Sequence, residues 1–493
     1  MAIGNFPNVR ALLFENKTIN QTIFKNTFWL IVGTGISGIL KLILLAYVAR
    51  LLGATEYGKF SFALAFVSLF VVFSNFGLSD IITREFSREK EKEKEFYSII
   101  SLKIFLSLGT LVLILVSSLF ITPDPLIRKV IWILGIWVVV TDFIDIICAF
   151  LRARQKMEYE AIITAFQALA LFGMGLFIIF NLPSIENLSY SYLFTSLLAL
   201  VSALFFLHFK FIPCKISLQK TIWQRFLAMS WPLALAGIFS MICANIDSVM
   251  MGYWNQIIQT GWYNAAYKIV NFILIPTGLI SSSFYPVLSK FAFFGEVEKA
   301  KEQLQDIWDR QMKLMIILAL PLAIGGVVLA PKIINFIYGS AYTPSVLAFR
   351  ILIIMAGIIF LHTPFNQILI ASNQQKKFFY VMILGTITNI ALNLILIPKF
   401  SFYGAAFAIL FTHILILFSA LAFTAKFTSV NPFDFKFILI FFGALFASLI
   451  MYLTITQGTI NQLHIIFSVL IGTVVYFASF FAFKKLINQF IKI

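Results

Sequence analysis

Long apolar stretches, each of about membrane length, alternate with short polar turns along nearly the whole chain. Fourteen can be marked, at about 26–48, 60–82, 99–121, 127–151, 160–181, 189–209, 231–254, 263–290, 314–337, 346–371, 378–398, 403–425, 436–456 and 462–484. An α-helix needs ~20 apolar residues to cross a hydrocarbon core of ~30 Å. The runs are continuous, which excludes the in-out alternation of an outer-membrane barrel. Backbone groups in lipid must bond within their own segment. The pattern therefore predicts an all-α polytopic membrane protein.

The clearest punctuation lies at 49–85. One apolar stretch ends at Ala49-Arg50, a polar turn runs to Lys59, and the next stretch stops at Thr83-Arg84-Glu85. Gly53 and Gly58 are expected to let the backbone reverse without a Cβ penalty. Arg50, Glu56 and Lys59 are expected to reach headgroups, water or each other. An even number of spans puts both termini on one side. Most of the 37 Lys and Arg then fall on that side, Lys103 counted among them, which predicts cytosolic termini.

Composition agrees with a membrane class. The 493 residues are 60% hydrophobic and only 12% charged, against ~25% in a soluble protein. The net charge of +16 reads as basic cytosolic loops rather than a nucleic-acid surface. Cys148, Cys214 and Cys243 lack metal or redox spacing. His208, His362, His413 and His464 read as isolated, so no metal site is expected. No phosphate-binding GxxxxGK[ST] loop and no nucleophile–base set stands out. No cofactor and no enzymatic activity are expected. Residues 1–25 are mixed polar and show no cleavable signal pattern. Part of them, 5–24, could lie on the membrane as an amphipathic helix.

Three polar segments are expected outside the spans. Residues 84–95 carry equal positive and negative charge and read as a solvated helical extension with pairs such as Glu89–Lys92. Asp80 and Arg84 are spaced for a local salt bridge. Residues 208–230 form a basic linker interrupted by Pro213, with Trp223 suited to an interface. Residues 291–313 place Leu304, Ile307, Trp308 and Gln311 at helical spacing.

The two halves share a plan. The turn at Leu52-Gly53…Tyr57-Gly58 has a counterpart at Met251-Gly252…Gly261-Trp262-Tyr263. The connection Phe150-Leu151-Arg152-Ala153-Arg154-Gln155-Lys156 has one at Ile370-Ala371-Ser372-Asn373-Gln374-Gln375-Lys376. Parallel repeats about the membrane normal are expected. The domains would be a cytosolic segment at 1–25, a lobe at 26–209, a cytosolic linker at 210–230, a second lobe at 231–425, and an appended helix pair with tail at 426–493.

Several landmarks carry a family resemblance. They are Ala49-Arg50-Leu51-Leu52-Gly53, Tyr57-Gly58-Lys59-Phe60, Asn75-Phe76-Gly77-Leu78, Arg84-Glu85, Asp247-Ser248-Val249-Met250-Met251-Gly252, Gly261-Trp262-Tyr263-Asn264-Ala265-Ala266-Tyr267-Lys268 and Ile337-Tyr338-Gly339. In this order the chain resembles the polysaccharide (Wzx-type) flippases of the multidrug/oligosaccharidyl-lipid/polysaccharide exporter superfamily. The resemblance implies two six-helix lobes around a central cavity. It also implies a polyprenyl-pyrophosphate-linked oligosaccharide as substrate.

Charged groups inside spans mark candidate chemistry. Lys41 lies mid-span and could bind a substrate phosphate, pair with a buried acid such as Asp247, or snorkel. Asp247 could pair with Lys268 or Lys41, or bind a coupling proton or Na+. Asn264, Lys268 and Asn271 share one helical face suited to lining a cavity or to an interhelical seam. Arg50 could guard a cavity mouth or touch headgroups, and Arg350 also lies near an outer end. Asp142 and Asp145 are one turn apart and are expected to bond to neighbouring helices or to pair with Lys41. Gln367, beside Asn366, and Asn389 with Asn393 could meet sugar hydroxyls or tie helices together. Pro276, Pro286, Pro321 and Pro364 could let helices bend.

The expected activity is a flippase of the cytoplasmic membrane, working by alternating access on an ion gradient or membrane potential. Glycan-assembly membrane proteins are conceivable partners. The competing readings are a multidrug exporter of the same superfamily, a peptidoglycan-precursor flippase, a non-transporting scaffold, and a membrane glycan polymerase or ligase. The short outer loops disfavour the polymerase or ligase.

Overall fold

The computed structural model describes residues 19–88, 95–212, 217–293, 298–432, 435–457 and 464–490. Cys214, Pro213, the Glu89–Lys92 pair and most of the expected 5–24 helix lie outside them. By contact the chain divides into two compact units, Met1–Tyr253 and Trp254–Ile493.

The first unit contains α1 (Ile19–Asn75), α2 (Leu78–Arg88), α3 (Glu95–Ile121), α4 (Pro125–Ala153), α5 (Met157–Asn181), α6 (Ile185–Lys210) and α7 (Lys220–Tyr253). At 1.5 Å per residue α1 would be ~85 Å long, too long for one crossing. It is broken at Gly53, whose φ of 79° and ψ of 173° suit only glycine. Gly58 stays helical. The expected two-glycine turn is therefore a one-glycine break, followed by a Lys59–Glu56 ion pair of 2.8 Å one helical turn on.

Local chemistry sets the other boundaries. Asp124 caps α4 by accepting from the Leu126 N–H at 2.8 Å, with Pro125 at the first helical position. Ser184 caps α6 through the Glu186 N–H. The α4–α5 turn closes with the Lys156 N–H on the Leu151 carbonyl at 3.0 Å, and Gln155 takes a φ of 57°. This is a six-to-one helix stop with one left-handed residue. The interior behind it is aromatic: the Phe96 and Phe150 rings lie 4.7 Å apart, and both pack on Phe86.

Helix α7 differs from expectation. It begins at Lys220, inside the expected linker, and packs against α1, α2 and α3. The reason is an apolar face: Phe226 is fully buried, with Ile222, Trp223 and Leu227 against the same core. Trp223 donates to the Ser98 carbonyl at 2.9 Å. It is anchored to protein rather than standing as a lone interfacial ring.

The second unit contains α8 (Ile257–Ile273), α9 (Ile275–Phe293), α10 (Glu298–Tyr338), a 3-10 turn (Ser340–Tyr342), α11 (Ser345–Ala371), α12 (Gln375–Phe427), α13 (Phe435–Thr456) and α14 (Ile465–Phe490). The expected span at 263–290 is thus split at Leu274, just before Pro276. The helical spacing at 304–311 is the inward face of α10, with Leu304, Trp308 and Gln311 buried. Helix α12 breaks at Ser401, with φ 53° and ψ −139°. The α11–α12 turn repeats the α4–α5 stop: the Gln374 N–H bonds the Leu369 carbonyl at 2.8 Å, and Asn373 has a φ of 59°. The sequence correspondence between these two connections is a correspondence of backbone. The final pair packs on α10, where the Tyr476 hydroxyl donates to the Ile317 carbonyl at 2.8 Å.

Among the described residues, 12 helical segments are long and apolar enough to cross a membrane. The two longest, of 60 and 53 residues, carry the breaks at Gly53 and Ser401.

Candidate functional site

Polar chemistry in the first unit gathers where α1, α3 and α4 meet. α1 ends at Asn75, so its last carbonyls have no helical partner. The Lys103 ammonium, from α3, fills that gap. It donates to the Ser74 carbonyl at 2.9 Å, to the Ser74 hydroxyl at 2.8 Å, and to Asp142 of α4 in a short ion pair. Both side chains are almost wholly buried. Asn75 donates to the other Asp142 oxygen at 2.8 Å. One turn along α4, Asp145 accepts from the Ser79 hydroxyl and pairs with Arg152 at 3.0 Å. Arg152 also holds Glu160 at 2.7 Å.

These contacts correct four expectations. Asp142 and Asp145 bond to Asn75 and Ser79 of neighbouring helices, as one expectation had it, but pair with Lys103 and Arg152 rather than with Lys41. Lys103 is not a cytosolic loop charge: it lies inside α3 with no exposure. Lys25, also counted among the loop charges, is fully buried on Glu158 at 3.1 Å and donates to the Gln155 carbonyl at the α4–α5 stop. Arg84 pairs with Glu85 at 3.2 Å rather than with Asp80. A signal for Lys103 was present. Lys103, Ser107, Thr110, Ile114 and Ser118 are all buried and follow helical spacing, so the polar stripe of an apolar span faces protein.

Lys41 behaves differently. It is exposed and makes no ion pair or hydrogen bond among the described residues, Asp247 included. It stands 12 residues before the Gly53 break, which is ~18 Å along the helix. That distance exceeds a lysine's reach and disfavours snorkelling. Arg50 is exposed and Asp247 is buried.

The second unit holds the remaining candidates. On α8, Asn264 is buried and donates to the Thr260 carbonyl at 2.9 Å, Lys268 is half-buried and Asn271 is exposed. On α12, Asn389 and Asn393 are fully buried, and Asn393 donates to Asn389 at 3.2 Å. Arg350 donates to the Val327 carbonyl at 3.2 Å, which ties α11 to α10.

Gln367 belongs to a polar hub around Pro364 in the middle of α11. Proline removes one helical donor and loosens the turn. Side chains from neighbouring helices bond to this segment. Trp308 of α10 donates to the Pro364 carbonyl at 3.3 Å, and Thr424 of α12 donates to the Phe365 carbonyl at 3.4 Å. Gln311 donates to Gln367, which donates to the Ser281 carbonyl of α9 at 2.6 Å. His362 and His413 are not isolated: their ring nitrogens meet at 3.1 Å, with Asn366 at 3.1 Å from the other His362 nitrogen. These partners lie 51 residues apart, so spacing could not reveal them. Among the described residues no group of three or more His, Cys, Asp or Glu could hold a metal ion.

Long apolar helices with repeated turns and polar groups inside the spans define a multi-helix membrane protein. The model of the family described as polysaccharide biosynthesis protein matches residues 23–292, more than half of the chain. The chain belongs to that family. A second family model, MatE, matches residues 232–395.

Curated relatives are distant. A probable flippase of Haloferax volcanii, AglR, is 24% identical over 268 residues, which is 53% of each chain. The chain thus spans about half the length of that relative. A probable low-salt glycan biosynthesis flippase of the same organism is 21% identical over 374 residues, covering 74% of this chain and 75% of the other. Among solved structures, the lipid II flippase MurJ in an inward closed conformation has a TM-score of 0.75 at 19% identity. It covers 94% of this chain and 99% of its own. An inward-facing multidrug resistance transporter of the MATE family has a TM-score of 0.65 at 14% identity, covering 80% and 96%. These structures share the fold.

Proposed function

We propose that the chain is a flippase that moves a polyprenyl-pyrophosphate-linked oligosaccharide across the cytoplasmic membrane for surface polysaccharide synthesis. It would make fourteen crossings with both termini cytosolic, and would work by alternating access. The observation that carries the reading is Lys41. Every other lysine named above as buried within a helix has its acid or its carbonyls; Lys41, mid-helix and exposed, has neither. A cation at that depth calls for an anion, and a pyrophosphate bridge supplies one. Family membership supports the same reading, as do the names of the curated relatives. The buried amides Asn264, Asn389 and Asn393, with Lys268, Asn271, Gln367 and Arg50, are the proposed contacts for the glycan and the rest of the headgroup. Asp247 remains a proposed ion-pair or coupling residue.

The test is flipping in proteoliposomes of a fluorescent polyprenyl-pyrophosphate oligosaccharide, with an impermeant quencher reporting sidedness. One charge-assisted hydrogen bond is worth ~1.5–3 kcal/mol. Lys41→Ala should therefore slow flipping about 10- to 150-fold, and Lys41→Arg should retain more. Equal rates would remove Lys41 from the site. A second reading, a small-cation exporter, draws on the MatE match at 232–395. It predicts export of a cationic dye and no lipid flipping.

A further inference from the structure

We propose that His362, His413 and Asn366 form a single-proton site in the second unit, through which lipid flipping is coupled to a proton gradient. The inference rests on the flippase reading above.

The hydrogen-bond accounting is restrictive. The two imidazoles lie 2° from coplanar, edge to edge, with centroids 5.3 Å apart. His362 Nε2 and His413 Nδ1 are 3.1 Å apart, so one must donate and the other accept. The Asn366 amide nitrogen lies 3.1 Å from His362 Nδ1 and donates to it. That leaves His362 with its single N–H on Nε2, given to His413 Nδ1. His413 then keeps its N–H on Nε2. The neutral pair is fully determined.

One more proton has one place to go, His362 Nδ1. Its arrival turns that nitrogen from acceptor to donor, and Asn366 must answer with its carbonyl oxygen. That oxygen is buried and has no hydrogen-bond partner. A half-turn of the amide brings it into place. A second extra proton would set two N–H groups against each other across 3.1 Å, beside a second positive charge. The site therefore accepts one proton and refuses two.

The surroundings isolate the pair. The helices packed against α11 are α8, α9, α10 and α12. Among the described residues, no other titratable side chain on them acts on either ring. The proton is thus not neutralised by a fixed carboxylate, so it is held weakly and released readily. The pair bridges α11 and α12 beside Pro364, where α11 is already loosened. Protonation there changes the bonding between two helices at a point where one can bend.

Two readouts test this on the full chain in lipid. Imidazole nitrogen NMR in nanodiscs, with signals assigned through His413→Asn, counts protons. The expected result is one proton gained by the pair at His362 Nδ1 as the pH falls from 8 toward the acid limit of the protein's stability, with no second. Gain of two, or of none, overturns the site. The second readout is the steady-state distribution of fluorescent polyprenyl-pyrophosphate oligosaccharide across proteoliposomes under a pH gradient of one unit. One coupled proton shifts it about tenfold. In His362→Gln, which keeps a donor to His413 Nδ1 but removes the accepting nitrogen, the lipid should still equilibrate but ignore the gradient. A wild type that flips yet ignores the gradient overturns the coupling and leaves the flippase reading intact. A wild type that does not flip overturns the flippase reading, while the NMR count still decides the proton site.

Discussion

Replacing Lys103 with methionine should destabilise the first unit more than most single changes. Methionine is close to lysine in length and unbranched, so packing is largely kept and the ammonium is lost. Asp142 would then be a buried carboxylate facing an apolar stem. Two charges ~3 Å apart at an effective dielectric of ~20 attract by ~5 kcal/mol. Breaking one side of a buried pair costs ~3–5 kcal/mol. Two features place the expected value toward the lower end. Asn75 still donates to Asp142 at 2.8 Å, and the Ser74 hydroxyl can turn to Ser107, 3.2 Å away. For a folding unit of ~150–250 residues each kcal/mol moves the transition by ~2–4 °C. The expected loss is therefore ~6–20 °C in the temperature at which half the monodisperse protein survives heating in detergent. Fluorescence-detected size exclusion reads this. The double variant Lys103→Met/Asp142→Asn removes the orphaned charge and should recover most of the loss. A single variant within ~2 °C of wild type would refute the reasoning, as would a double variant that loses the sum of both singles.

Gly252→Ala should also destabilise, because a Cβ there would fall 2.1 Å from a ring carbon of Phe62. Overpacking of this kind costs ~1–3 kcal/mol, and Phe62→Leu in the same chain should restore the melting temperature. Gly53→Ala meets nothing within 4 Å, so its effect is purely conformational. At φ 79° and ψ 173° it should cost ~1–3 kcal/mol in the same heating assay, with no rescue by trimming neighbours.

What the sequence revealed and what it hid divide along one physical line. Span length and apolarity are local, so the apolar stretches were legible, although α7 and α10 begin well before the spans expected at 231 and 314. Turn chemistry is local too, and the connections at Gln155 and Asn373 share one backbone form because each needs a single left-handed residue. Pairing is not local. Lys103 meets Asp142 39 residues away, and His362 meets His413 51 residues away. Spacing on one helix carries no record of which face its neighbour presents. The start of α7 was misplaced for a related reason. Basic residues dominate 208–230 and read as solvated, but Phe226 and its apolar neighbours decide where the segment packs.

The same distinction sharpens how charge inside a span should be read. A charge inside a helix by itself marks little, since the buried Lys25 and Lys103 and the half-buried Arg152 all sit among acids and carbonyls that offset their desolvation. Such pairs hold helices in register and are most valuable when nothing disturbs them. Lys41 has the same chemistry in an apolar helix without the same company. On the proposed reading, no described residue offsets its charge, and water does so when the site is open and an anion when it is filled. A residue of that kind gains most when ligand arrives, and differential binding of that sort is what shifts a transporter between its states. The proposed three-group site at His362 follows the same logic with a proton as ligand. Asn366 presents one amide atom to the ring and holds the other without a partner. In both places the functional signal is an unmet bonding requirement rather than a residue type.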